Sequence, residues 1–160
     1  MTMKANELMI GDFVFHEKHG NAIIESIDND FGDEPLVKLV SENIKHKDGY
    51  KYGYCWCDLD EIFPIPLTPE ILEKNGFKKN GIPNSVASIK EMDWCDDTYV
   101  WSRQETPDER LFVSVYMDDP ANFFVEVYCQ YCHADGIHVK YLHELQHALK
   151  LCGIEKTIEL

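Results

Sequence analysis

The sequence predicts an α+β protein in which a small SH3-like antiparallel β-barrel is followed by an antiparallel sheet with two helices. Three observations support this prediction. Short runs of β-branched and aromatic residues alternate with turn residues through residues 1–63, a helix-start signal follows a proline-rich connector, and further strand-like runs lead to an amphipathic segment near the end. Evenly spaced short strands are typical of barrels, and segregated strands and helices are typical of the α+β class.

The first part, residues 1–63, is predicted to contain four short strands, each introduced by turn residues. Strands so short, at spacings of about ten residues, favour a strongly bent sheet or barrel. Asp58–Ile62 is predicted to form a single helical turn that closes the sheet. The four predicted strands are Phe13–Phe15, Ala22–Ile27, Leu36–Val40 and Tyr52–Trp56.

The second part, residues 64–160, opens with the extended connector Pro64–Leu67, because each proline disfavours the helical region for the residue before it. A helix is then predicted from Thr68, which is a good N-cap residue. Pro69 suits the first helical position, and Gly76 is suited to end the helix in the left-handed region.

The rest of this part is predicted to be an antiparallel meander followed by a second helix. That helix covers Leu142–Cys152 and ends at Gly153. Its apolar side is centred on Leu145 and Leu149, with Leu142 and Cys152 at the margins. The predicted strands are Tyr99–Trp101, Leu111–Met117, Asn122–Tyr131, a strand end at Ile137–Tyr141 and a last edge strand at Thr157–Leu160.

Charge restricts the classes of partner. The 160 residues include 29 acidic and 15 basic side chains, for a formal net charge of −14. Binding to a nucleic-acid backbone or to an anionic membrane needs a basic face, so we expect neither partner. The first residues have no apolar stretch typical of a secretory signal, and no apolar run reaches the ~18 residues of a membrane span. These features predict a cytoplasmic protein whose cysteines are reduced thiols.

His143-Glu144-Leu145-Gln146-His147 matches the zinc-protease pattern H-E-x-x-H, in which two histidines bind zinc and the glutamate activates water. On a helical wheel the two histidines lie opposite the leucine side of the predicted helix. A metal there would lie on a solvated helix face, with no surrounding protein to exclude water from it. We therefore interpret the match as coincidental and expect no catalytic residue.

Cys129-Gln130-Tyr131-Cys132-His133 matches the pattern of c-type haem attachment and of redox C-x-x-C pairs. A redox pair favours a helix N-terminus, which lowers the thiol pKa, whereas Cys129 ends a predicted strand and is interpreted as a small buried apolar residue. Together, Cys129, Cys132, His143 and His147 approach the Cys2His2 zinc spacing. Because the predicted helix turns its histidines away from the strand, we expect no bound zinc, other metal or cofactor. If the chain does bind zinc, these four residues are the candidate ligands.

Two smaller groups are interpreted as ordinary surface and packing residues. Cys55 and Cys57 alternate with Trp56 in a predicted strand, which places both cysteines on one packed face. His16 and His19 flank a predicted turn and are interpreted as solvated.

Three segments together resemble a group of small uncharacterised proteins from Bacteroides-type gut bacteria and their prophages or mobile elements. The resemblance implies a shared fold and a phage or mobile-element origin, and it implies no activity. The final segment fits the pattern Lys-Tyr-x-His-x-Leu-Gln through His143 and Gln146. The three segments are Lys4–Leu8 with Gly11–Val14, Ile65–Glu70 with Asn75–Phe77, and Lys140–Gln146.

From these observations the sequence predicts a non-enzymatic interaction or accessory protein that binds a protein partner. Two alternatives stay open. The first is an acidic decoy that occupies a basic groove of a nucleic-acid-binding host protein, and it depends on the net charge alone. The second is a zinc-binding protein that uses Cys129, Cys132, His143 and His147.

Overall fold

A computed structural model describes residues 3–4, 7–29, 35–44, 53–79, 98–104, 110–119, 122–129, 132–151, 153–154 and 156–160. The chain divides into two compact units. The first unit comprises Met1–Ile65 with Tyr141–His143, and the second comprises Pro66–Lys140 with Glu144–Leu160. Two antiparallel five-stranded sheets and two α-helices occur in the described residues. The predicted α+β class is therefore confirmed.

The first unit contains an antiparallel sheet with the strand order β4-β3-β2-β1-β5. The predicted helical turn is present as a 3-10 turn at Leu59–Glu61, between β4 and β5. The short strand β5 was not predicted, because proline cannot donate a ladder hydrogen bond and argues against a strand. Among the described strands β5 lies at the edge of the sheet beside β1, and Pro64 ends it. The strands are β1 (Phe13–His16), β2 (Gly20–Asp28), β3 (Leu36–Ser41), β4 (Gly53–Asp58) and β5 (Ile62–Pro64).

Alternation along these strands separates an inner apolar face from an outer face. Val14, Ile24, Val37 and Leu39 are completely buried on the inner face. Strand β2 carries a bulge between Ile24 and Ser26, where the register with β3 shifts by one residue. Because a bulge increases local twist and bends the strand, it helps the sheet to curve around this core.

The second unit contains an antiparallel sheet with the order β10-β9-β8-β7-β6. The single strand predicted at Asn122–Tyr131 is shorter in the structure and ends at Cys129. The chain then reverses into β10, which includes the first part of the segment predicted as a strand end at Ile137–Tyr141. The strands are β6 (Lys78–Lys79), β7 (Thr98–Gln104), β8 (Arg110–Asp119), β9 (Asn122–Cys129) and β10 (Cys132–Val139).

Helix α1 (Pro69–Lys74) has the predicted boundaries. The backbone N–H of Ile71 donates to the Thr68 side-chain oxygen at 3.4 Å, which satisfies one of the donors that a helix N-terminus leaves open. Gly76 follows the helix with φ of 79°, a left-handed conformation that residues with a side chain rarely adopt. The cap prediction is therefore confirmed.

Replacing Thr68 with alanine removes this cap. We expect Thr68→Ala to lower the free energy of unfolding by ~1 kcal/mol, the typical cost of losing a threonine N-cap. Urea melts of the variant and the parent chain measure the difference. Thr157→Ala is the matched control, because Thr157 is exposed and lies outside both helices. Equal midpoints for Thr68→Ala and Thr157→Ala would contradict the cap.

Helix α2 (Leu142–Leu151) confirms the second predicted helix within the described residues. The predicted apolar side is buried, with Leu145 and Leu149 each only 1% exposed. No helix within the described ranges combines the length and the apolar character needed to cross a bilayer.

The predicted edge strand at Thr157–Leu160 is wrong, since residues 156–160 form no strand. The segment is held instead by the side chains of Lys74 and Asn75 at the end of α1. The Asn75 amide donates from Nδ2 to the Glu159 carbonyl, and its Oδ1 accepts from the Glu159 N–H, both at 2.8 Å. Lys74 also donates to the Leu160 carbonyl. A single amide thus supplies the two hydrogen bonds that a neighbouring strand would have made.

Candidate functional site

The inner face of the first unit brings together histidine and cysteine side chains from the two ends of its sequence. His16, His19 and Cys55 each offer one metal-ligand atom, and these three atoms lie within 4.8 Å of one another. His16, Cys57 and Glu61 form a second group within the same limit. His16 belongs to both groups, so the two groups are adjacent alternatives at one place in the fold.

Curvature of the sheet creates this cluster. Strand β1 carries His16 and strand β4 carries both cysteines, and two strands separate them in the sheet order. Neighbouring strands lie ~4.8 Å apart, so a flat sheet would keep β1 and β4 about 14 Å apart. Side chains on these strands approach to within 4.8 Å only because the sheet bends strongly toward its inner face.

The two histidines are held at the hairpin between β1 and β2. His16 ends β1 on the same face as Val14 and is only 6% exposed, whereas His19 in the turn is half-buried. Their ring centroids are 4.7 Å apart, and the Lys18 backbone N–H donates to His16 Nδ1 at 3.1 Å. The interpretation of His16 as solvated is therefore wrong, because strand alternation turns it into the curved sheet.

Burial controls the protonation of this cluster. Burial, followed by the proximity of His16, lowers the pKa of His19 below its ordinary value. Burial, followed by the charge of Glu61, raises the pKa of Cys55. Burial also raises the pKa of Cys57 to about 12, with a smaller contribution from Cys55. Burial therefore favours the uncharged form of the His19 ring and the protonated form of both thiols.

Cys57 and Glu61 already have hydrogen-bond partners. The Cys57 thiol donates to the Val37 carbonyl at 3.6 Å, and Cys57 is 4% exposed. Glu61 Oε2 accepts from the Asp58 backbone N–H at 3.1 Å, which completes a capping box on the 3-10 turn. Both cysteines lie on the inner face, as alternation predicted, and Cys57 is the more deeply packed of the two.

Alkylation should distinguish the two thiols. A shift in the pKa of Cys57 from 9.0 to about 12 leaves about a thousandfold less thiolate at pH 8 than an unperturbed cysteine has. We therefore expect iodoacetamide to modify Cys55 before Cys57 in the folded chain. Timed alkylation with fragment mass spectrometry of the shared peptide measures both rates. Full unfolding in urea should remove the difference, and equal rates in the folded chain would contradict the burial of Cys57.

The outer face of the same sheet carries an apolar row across four strands. Phe13 on β1 pairs with Ile23, Ile23 pairs with Val40, and Val40 pairs with Tyr54 on β4. Phe15 and Trp56 flank this row by alternation. These six residues are termed the outer apolar face. Four of them are substantially exposed: Phe15 at 40%, Ile23 at 39%, Tyr54 at 52% and Trp56 at 45%.

The basic side chain of Lys38 lies at the outer apolar face, and the neighbouring Glu25 carboxylate balances its positive charge. Lys38 Nζ lies 4.5 Å from the centroid of the Tyr54 ring and 2.5 Å from a carboxylate oxygen of Glu25. The ammonium group thus neutralises one carboxylate and covers part of one ring. Other exposed carboxylates of this unit include those of Glu17 and Asp58.

The residues of the H-E-x-x-H match have structural roles that the sequence did not indicate. His143 is 4% exposed and stacks on Tyr141 with ring centroids 5.9 Å apart, so its predicted solvated position is wrong. The helical wheel failed because it considers the helix alone, whereas the Tyr141 ring, from outside the helix, stacks on His143. Glu144 Oε2 accepts from the Lys140 backbone N–H at 2.6 Å, which ties the first turn of α2 to the residues before it. His147 is half-buried.

The predicted Cys2His2 ligands are only partly described. Cys129 ends β9 and Cys132 begins β10, where the two residues face each other in the strand register. Their side chains lie outside the described residues. Among the side chains that the structure does describe, neither His143 nor His147 belongs to a group of three possible metal ligands.

The sequence contains both halves of the His–Cys cluster as visible patterns, a histidine pair at a turn and a C-x-C pair in a strand. Treated separately, each pair is unremarkable in a packed sheet, and no local signal links the two. No family model, curated protein or solved structure matches this chain. The candidate site therefore depends on the geometry of the first unit alone.

Proposed function

We propose that this chain is a non-enzymatic interaction protein whose outer apolar face binds a basic, apolar-rich segment of a partner protein. The observation that supports the proposal is the exposure of Phe15, Ile23, Tyr54 and Trp56 on one side of one sheet. Single exposed apolar residues are normal on a protein surface, whereas contiguous apolar patches are typical of interaction sites. Tyrosine and tryptophan are also enriched at protein interfaces.

Charge complementarity favours a basic partner. Acidic side chains outnumber basic ones by 29 to 15 in the chain. At the outer apolar face the Lys38 ammonium is already paired with Glu25, while Glu17 and Asp58 add exposed negative charge in the same unit. A partner with lysine or arginine beside its apolar residues would meet an attractive field during association.

We further propose an SH3-like barrel fold for the first part, a phage or mobile-element origin and a cytosolic location. An SH3-like barrel for residues 1–63 is supported by the strong bend that places His16 beside the cysteines of β4. A phage or mobile-element origin is supported by the resemblance of Lys4–Leu8, Ile65–Glu70 and Lys140–Gln146 to proteins of that source. We place the interaction in the cytosol, where the thiols of the chain stay reduced.

A peptide array tests the proposed partner chemistry. One set of peptides alternates apolar residues with lysine or arginine, and a matched set has glutamate in place of each basic residue. We expect the chain to bind the basic set and not the acidic set. The double variant Tyr54→Ser/Trp56→Ser should weaken binding by at least about tenfold, because aromatic residues at the centre of an interface carry much of its affinity.

Leu151→Ser is the matched control. Leu151 is 80% exposed and lies outside the outer apolar face, so its loss should leave peptide binding unchanged. Equal binding by the Tyr54→Ser/Trp56→Ser variant and the parent chain would refute the proposed surface. Preference for the acidic peptides would refute the proposed partner chemistry.

Nucleic acid is not an expected partner. With a net charge of −14, the chain should show no salt-sensitive binding to random duplex DNA. Fluorescence anisotropy with a labelled duplex at low and moderate salt measures this. Binding that weakens steeply as salt rises would contradict the prediction and favour a basic patch on the folded surface.

A further inference from the structure

We infer that His16, His19 and Cys55 form a binding site for a thiophilic transition-metal cation of the zinc class. This site lies on the inner face of the first unit, and its function is separate from peptide binding on the outer apolar face. The observation that carries the inference is the convergence of two imidazoles and one thiol, with ligand atoms within 4.8 Å, from strands that are not neighbours.

The donor set suits such a cation. Imidazole nitrogen and cysteine sulfur are the ligands that Zn²⁺ prefers in proteins, and hard cations such as Mg²⁺ prefer oxygen. Zn–N distances of ~2.05 Å and Zn–S distances of ~2.3 Å in a tetrahedral site place the ligand atoms about 3.3–3.6 Å apart. Ligand atoms that all lie within 4.8 Å of one another therefore need to close by at most about 1.2–1.5 Å, which side-chain rotations can supply.

The alternative group of His16, Cys57 and Glu61 is less suited to a cation. Cys57 is nearly inaccessible and donates its thiol proton to Val37, and Glu61 is engaged in the capping box of the 3-10 turn. Binding there would break both interactions. His19 and Cys55 are half-buried instead, so a cation can approach them from solvent without unfolding the sheet.

Metal binding has a distinctive consequence at Lys18. His16 Nδ1 accepts the Lys18 backbone N–H, so this nitrogen carries a lone pair. A cation bound at Nδ1 would take that lone pair. A cation bound at Nε2 would leave the ring proton on Nδ1, which then could not accept. The Lys18 hydrogen bond is therefore lost whichever nitrogen binds the metal.

The cation would join the β1–β2 hairpin to β4. Within the described strands, β1 and β4 are otherwise connected in the sheet through β2 and β3. A ligand that binds the folded state and not the unfolded state stabilises the fold by mass action. Zinc should accordingly raise the melting temperature of the chain, and equimolar Mg²⁺ should not.

Cobalt substitution tests the site directly. The full chain is stripped of metal with a chelator, reduced, and titrated with Co²⁺, which reports thiolate ligation through charge-transfer absorption and tetrahedral geometry through d–d bands. We expect both signals to saturate at one equivalent and Zn²⁺ to displace them. In a parallel NMR titration with Zn²⁺, the Lys18 amide resonance should shift. Absence of thiolate-to-cobalt absorption would overturn the inference.

Single variants identify the ligands. His19→Gln and Cys55→Ser should each weaken Co²⁺ binding by more than about 100-fold. That loss is larger than is usual for replacing a residue that contacts a metal ligand rather than the metal itself. Glu61→Gln and Cys132→Ser are the matched controls, and both should leave affinity nearly unchanged. The inference is overturned if Glu61→Gln abolishes binding while His19→Gln retains it, since the second group would then hold the metal. It is equally overturned if Cys132→Ser abolishes binding while Cys55→Ser retains it.

Discussion

Replacing Leu145 or Leu149 with alanine is expected to lower the free energy of unfolding by ~2–5 kcal/mol, the range for truncating a buried leucine. Both side chains are 1% exposed on the inward side of α2, so alanine leaves a cavity that the surrounding structure fills only in part. Because domains are stable by only about 5–15 kcal/mol, either change is large enough to threaten folding. Urea melts measure the change.

The same helix provides a matched control. Leu151→Ala removes the same atoms from a side chain that is 80% exposed, and it should cost less than ~0.5 kcal/mol. His143→Ala should cost about 1–3 kcal/mol, because it removes a buried ring that stacks on Tyr141. A cost for His143→Ala as small as that for Leu151→Ala would show that His143 is solvated, as the helical wheel predicted.

Gly53→Ala is expected to be the second strongly destabilising change, at about 3 kcal/mol or more, because overpacking against backbone cannot be relieved by a side-chain rotation. A Cβ atom at Gly53 would lie 2.1 Å from the Ile44 carbonyl oxygen and 2.8 Å from Ile44 Cγ2. Gly53 begins β4 opposite Ser41, so the segment at Ile44 would have to move away from the strand.

Two further variants isolate the cause of this effect. Gly153→Ala adds the same atom in open space, and its φ of 71° costs only the backbone strain of a left-handed residue, about 1–2 kcal/mol. Ile44→Ala removes Cγ2 but leaves the carbonyl oxygen in place, so Gly53→Ala should cost as much in the Ile44→Ala background as in the parent chain. A much smaller cost in that background would mean that the side chain, rather than the backbone, is the obstacle.

The sequence predicted those elements that local chemistry determines. Thr68, Pro69 and Gly76 specify α1 within a few residues, and alternation in β4 correctly places Cys55 and Cys57 on one packed face. The strand β5 was missed because its proline argues against a strand, although an edge position tolerates it. The edge strand at Thr157–Leu160 was predicted from composition alone, and the amide of Asn75 replaces the partner strand that it would need.

The His–Cys cluster could not be predicted, since it depends on the curvature of the whole sheet. His16 and Cys55 are brought together by the cumulative bend of four strands, and the bulge in β2 contributes to that bend. No residue near either side chain encodes this approach. The burial of His143 was missed for a related reason: a helical wheel treats a helix as isolated, while the Tyr141 ring, from outside the helix, stacks on His143.

The amide of Asn75 has a chemical consequence beyond its hydrogen bonds. Asparagine followed by glycine is prone to deamidation, in which the backbone nitrogen of the glycine attacks the side-chain carbonyl carbon. In the folded chain the Gly76 N–H donates to the Glu73 carbonyl, and the Asn75 side chain is held by Ile71 and Glu159. Both reacting groups are thus restrained, so deamidation of Asn75 should require transient opening of the C-terminal segment. The deamidation rate should therefore measure how often that segment opens.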